Sequence, residues 1–128
     1  MALRDQLRTI VVDDMSTSRG LITQTLDGFG IRQVETAADG ASALQKIAAW
    51  PVHLVISDMN MPGMSGLQLL HTLRSNAQTK AVGFLLITGK ADREIIEQGQ
   101  RLGMNNFLKK PFQPDDLRKA IEAIVGRL

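Results

Sequence analysis

Cysteine is missing altogether from the 128 residues. That absence excludes disulfides, zinc–thiolate sites and thiol nucleophiles, and it permits a reducing compartment. Aromatic residues are scarce, at 4%, which leaves little to stack on a flavin. An excess of either charge is missing too. Fifteen basic and 13 acidic residues give a formal net charge of +2, without any Lys/Arg run, so no nucleic-acid partner is expected. No apolar stretch approaches the roughly 18 residues of a membrane span. The first residues, Met1-Ala2-Leu3-Arg4-Asp5, lack the apolar core of a signal peptide. These absences predict a cytoplasmic chain without membrane contact, and a monomer is expected.

What the chain does have is apolar content, 44%, enough for one packed core. Short apolar runs alternate with longer stretches of helical period. Strands are expected at 9–12, 33–37, 52–57, 82–87 and 105–109. Helices are expected over 16–27 with Ser16 as N-cap, 41–49, 66–75, 91–102 and from Pro114 onward. Leu21, Ile22 and Leu26 fall at helical spacing in the first helix, and Leu44, Ile47 and Ala48 would point inward from the second. Gly99 would weaken the fourth. Five βα units in regular alternation predict an α/β fold: a doubly wound parallel sheet with helices on both faces. The strands lack polar alternation because both faces are covered. A single domain over 1–128 is expected, with no output domain.

In such a fold, sites form at the carboxyl ends of the strands. Asp13 and Asp14 follow the first strand, and Asp58 and then Met59-Asn60-Met61-Pro62-Gly63 the third. Thr88 follows the fourth and Lys110-Pro111-Phe112 the fifth. Three carboxylates at one sheet edge repel one another unless a cation lies between them. An all-oxygen set without His or Cys favours Mg²⁺, with Mn²⁺ as the alternative. A carboxylate can act as nucleophile in phosphoryl transfer, which needs charge neutralisation and positioning above all. Lys110 can supply the positive charge and Thr88 a hydroxyl. Taken singly, each residue is as readily a cap or turn residue; the joint pattern is far more specific. His53 and His71 lack motif partners and read as structural or exposed, and the six methionines as filler. Trp50 belongs at the far end from Asp58.

The segments Ile10-Val11-Val12-Asp13-Asp14, Ser16-Thr17, Val55-Ile56-Ser57-Asp58-Met59-Asn60-Met61-Pro62 with Gly66, Leu86-Ile87-Thr88 and Lys110-Pro111-Phe112 span nearly the whole chain. In order and spacing they resemble the receiver domains of bacterial response regulators, particularly the single-domain chemotaxis type. The resemblance implies the flavodoxin-like strand order 2-1-3-4-5 and a cis bond between Lys110 and Pro111. It implies that Asp58 accepts a phosphoryl group from a phosphohistidine on a sensor histidine kinase. Asp13, Asp14, Asp58 and the backbone carbonyl of Asn60 would hold Mg²⁺, with Asp13 acting through water. Thr88 and Lys110 would contact the phosphoryl group, and Phe107 would be a switch aromatic. The signal would leave through the face of the fourth helix, fifth strand and fifth helix, where Ala91, Ile96, Gln100, Lys109 and Phe112 are expected. A flagellar motor switch protein, or another output protein, would read it.

Some positions depart from the chemotaxis pattern. Phe107 stands where Tyr is common, Gly89 where Ala is common and Lys90 where an acid is common. Ala120 and Ala123 stand where motor-binding relatives carry basic residues. They bear on motor binding; a receiver that merely drains phosphate from a shared kinase is the alternative. From another class comes a Mg²⁺-dependent phosphatase or phosphotransferase with an Asp nucleophile. That class usually carries a second Asp where this chain has Asn60, and it needs a substrate cap for which 128 residues leave no room.

Overall fold

The computed structural model describes residues 2–89 and 92–128. Lys90 and Ala91, one a departure noted above and the other expected on the partner face, lie outside the described residues. The elements run α1 (Leu3–Gln6), β1 (Arg8–Val12), α2 (Ser16–Gly28), β2 (Gln33–Ala37), α3 (Gly40–Ala49) and β3 (Leu54–Asp58). They continue with α4 (Gly66–Arg74), β4 (Gly83–Thr88), α5 (Arg93–Leu102), β5 (Asn106–Lys109) and α6 (Pro114–Val125). All five strands pair in parallel in the order β2-β1-β3-β4-β5, the flavodoxin-like order.

Strand periodicity builds two cores, because successive side chains point to opposite faces of the sheet. Val11, Ile56, Leu85 and Ile87 pack under α2 and α6 with Ile22, Leu26, Leu117 and Ile121. Ile10, Val12, Val55, Phe84 and Leu86 pack on the other face with Ile47 of α3 and Leu67, Leu70 and Leu73 of α4. The side chains in the interiors of β1, β3 and β4 are therefore buried whichever way they point, which is why these strands read as unbroken apolar runs. The edge strands β2 and β5 are only partly covered.

Several expectations need correction. Leu21 does not face the core: it is 59% exposed, and Ile22 and Leu26, one turn apart, carry the buried stripe. Ala48 is likewise exposed, while Ala43 and Ile47 point inward. Ser16 is the first helical residue and not the cap; the Asp13 carboxylate organises the entry by accepting from the Met15 N–H (3.0 Å). β3 begins at Leu54, not Val52, because the His53 imidazole accepts the Arg8 N–H (3.0 Å) in place of a backbone carbonyl. Gly99 lies buried against Met104, and a Cβ there would press on the sulfur of that flexible side chain. The short α1 was not anticipated, since four residues carry no readable period. Pro114 does open α6 at its first turn, and the Lys110–Pro111 bond is cis.

Candidate functional site

Parallel register brings the strand-end acids together. Val12 lies beside Ser57 and Asp58 beside Ile87, so Asp13, one residue past β1, comes next to Asp58 at the end of β3. Asp13, Asp14 and Asp58 each offer a carboxylate oxygen, and these oxygens lie within 4.8 Å of one another. The Asp13 side chain is fully buried. Its Oδ1 accepts from the Met15 N–H, its Oδ2 meets the Lys110 ammonium (3.5 Å), and its carbonyl accepts from Arg19 Nη1 (2.7 Å). Asp14 is exposed at the rim.

Asp58 is 11% exposed, and its Oδ1 lies 3.4 Å from the Lys110 Nζ. Burial holds its carboxyl above the ordinary aspartate range; the Lys110 ammonium pulls the other way and the Asp13 carboxylate pushes further up. The backbone around it is clamped by the start of α4. The Gly66 N–H donates to the Met59 carbonyl (2.9 Å), and a Cβ on Gly66 would lie 2.4 Å from the Asp58 carbonyl oxygen. Only glycine lets α4 approach the acceptor this closely.

Thr88 closes β4 and is buried at 1% exposure. Its carbonyl accepts the Lys110 N–H (2.8 Å), which ties the ends of β4 and β5 together. Asn60 lies exposed in the loop after Asp58, on the same side of the sheet. Asp13, Asp14, Asp58, Thr88 and Lys110 are thus gathered at one edge, with an oxygen-only donor set of suitable charge for a hard divalent cation.

The outer residues divide. Phe107 lies beside Leu86 and packs, half-buried, in the layer of α3, α4 and α5. Ile96 is half-buried and Gln100 exposed on α5, and Lys109 is exposed at the end of β5. Phe112 goes elsewhere. It packs against the α2/α6 core and lines a groove with Thr17, Leu21, Ile22 and Pro111. At the opposite end of the sheet, Trp50 caps α3 under the Arg8 guanidinium, 5.9 Å from its ring centre.

Sequence reasoning missed two residues on the first turn of α2. Ser18 accepts from Lys110 Nζ (3.1 Å), and Arg19 holds the Asp13 carbonyl. The available signal was position: a helix starting two residues after the acid pair that follows a strand sets its first turn over the strand ends.

Comparison with known proteins places this geometry. Residues 9–122 match the response regulator receiver domain, and the chain belongs to that family. A probable chemotaxis protein CheY of Rhizobium etli is 38% identical over 128 residues, covering 100% of this chain and 99% of the relative. Chemotaxis protein CheY-3 of Vibrio cholerae is 33% identical over 126 residues, covering 98% of this chain and 97% of its own. The solved structure of Vibrio cholerae chemotaxis protein CheY4 superposes with a TM-score of 0.87 at 34% identity, over 92% of this chain and 98% of that one. The class is that of signalling regulators of two-component systems. Among the described residues, no helix is long and apolar enough to cross a membrane.

Proposed function

We propose that this receiver takes a phosphoryl group from a sensor histidine kinase onto Asp58 and passes the signal on in chemotaxis. The observation that carries the reading is the convergence of three carboxylates with one ammonium that touches two of them. An Asp58 oxygen attacks phosphorus, the bond to the donor imidazole nitrogen breaks, and the imidazole leaves with a proton. Lys110 offsets the charge on the phosphoryl oxygens, and the Thr88 hydroxyl donates to one of them. Asp13, Asp14, Asp58 and the Asn60 carbonyl would hold Mg²⁺, with Mn²⁺ as a substitute. The bound ion would supply positive charge to the transferring oxygens.

Phe107 reports occupancy by packing alone, since its ring offers no hydroxyl. Its layer also holds Ile95 and Leu102 of α5, and on this reading the output face is Ile96, Gln100 and Lys109, read by a flagellar motor switch protein or another output partner. Phe112 belongs to the α2 side.

Labelling tests the reading. With acetyl phosphate and Mg²⁺, intact mass should rise by one phosphoryl group. Asp58→Asn, or excess chelator, should abolish the gain. Equal labelling of Asp58→Asn, or labelling that survives the chelator, would refute it.

A further inference from the structure

The Lys110 ammonium has three N–H groups and meets three acceptors. Asp58 Oδ1 and Asp13 Oδ2 lie at 3.4 and 3.5 Å, but the shortest contact, 3.1 Å, is to the neutral Ser18 hydroxyl. Ser18 sits on the first turn of α2, an element separate from the strand ends that carry the two acids the ammonium bridges. The lysine side chain is 25% exposed, so without that anchor its head group has a free direction to swing. Two longer contacts to carboxylates set how far it leans inward; the hydroxyl sets where it points.

We propose that Ser18 is a positioning residue for phosphoryl transfer: it holds one N–H of Lys110 so that the other two face the acceptor. The proposal rests on the Asp58 reading above. Among the described hydrogen bonds, Ser18 makes one to Lys110 and none to Asp58. Its contribution is preorganisation, since a charge stabilises a transition state best when it need not be reoriented during the reaction. The hydroxyl is the active feature and not the side-chain volume. Beside Ser18 lies a groove of about 500 Å³, lined also by Thr17, Leu21, Ile22 and Phe112, which has room for an added methyl group.

The test compares Ser18→Ala and Ser18→Thr with the parent, reading the rate of labelling by acetyl phosphate and the affinity for Mg²⁺. Ser18→Ala should label about three- to tenfold more slowly, because water only partly replaces an anchor at a partly exposed ammonium. Ser18→Thr, which keeps the hydroxyl, should restore most of the rate. Mg²⁺ affinity should not fall in either, since Ser18 contacts no carboxylate in the described hydrogen-bond network and a loosened Lys110 only weakens a competing cation at Asp13 and Asp58. An alanine variant as fast as the parent would overturn the proposal. So would a threonine variant no faster than alanine, or a parallel fall in Mg²⁺ affinity, which would mark a general disturbance of the site. A parent chain that takes no label at all would instead remove the Asp58 reading, and this proposal with it.

Discussion

The two ends of the sheet hold similar side chains and use them in opposite ways. At the amino end, Arg8 lies over the Trp50 ring and its N–H donates to the His53 imidazole. Arg74, at the end of α4, donates to the Gly103 carbonyl and the Asn105 side chain. The cations there meet neutral rings, carbonyls and amides. At the carboxyl end, among the described residues, three acids gather with the Lys110 ammonium against two of them. That end carries negative charge that only a proton, a metal ion or a rearrangement can relieve. Neutral partners make an end whose energy changes little with what binds, even with Arg8 Nε and Arg74 Nη1 left without a hydrogen bond; an unbalanced charge set makes a responsive one, because its free energy depends on what binds.

Two glycines break this comparison most sharply. Gly66 abuts the Asp58 carbonyl, whereas a Cβ on Gly28, at the last residue of α2, would meet nothing within 4 Å. Gly66→Ala should cost roughly 1–3 kcal/mol by overpacking and should also lower Mg²⁺ affinity by displacing Asp58. Gly28→Ala should change stability by less than about 1 kcal/mol, on the stabilising side, with Mg²⁺ binding intact. Urea unfolding with and without Mg²⁺ reads both. Equal effects from the two substitutions would remove the distinction between a clamped end and an open one.

A smaller effect should appear with pH. Burial, the largest influence on Asp58, raises its pKa, so the folded chain keeps this proton at pH values where the unfolded chain has released it. Stability without metal therefore falls as pH rises from the ordinary aspartate range through the raised value, and the loss persists above it. Glu35 and Asp39 are shifted down by their hydrogen bonds and contribute the opposite slope, so the parent curve alone mixes both signs. The difference between Asp58→Asn and the parent isolates the acceptor. In chelator, the variant should gain on the parent across that window and stay ahead above it. Urea midpoints at a series of pH values check this; parallel curves would mean that the buried acid carries no penalty.

The smallest expected change is at the far end. Trp50 follows α3 and precedes β3, opposite the strand end that carries Asp58. Mg²⁺ titration should leave its fluorescence nearly constant while Asp58 labelling switches on. A strong quench would show that the two ends are coupled and would weaken the contrast drawn above.

The sequence was most legible where chain order alone decides position. Apolar runs ending in Asp13, Asp58, Thr88 and Lys110 identify strands and their carboxyl ends, and parallel winding brings those ends together. It was least legible where contacts cross layers or leave regular structure. Ser18 meets Lys110 across 92 positions of chain, and no spacing rule encodes that. Leu21 and Ile22 look equivalent as apolar residues, but the 100° between neighbours on a helix puts one out and one in. Phe112 lies three residues beyond β5, where strand alternation no longer tells which way a ring points.

Near its end, the chain crosses from one helical layer to the other. Phe107 belongs to the layer of α3, α4 and α5, Leu108 to the layer of α2 and α6, and Lys110 reaches Ser18 on the α2 side. Four residues thus put groups on both sides of a wall one sheet thick, which neither layer's side chains need to penetrate. The α2 and α5 sides of the molecule thus meet the same short strand from opposite faces of the sheet.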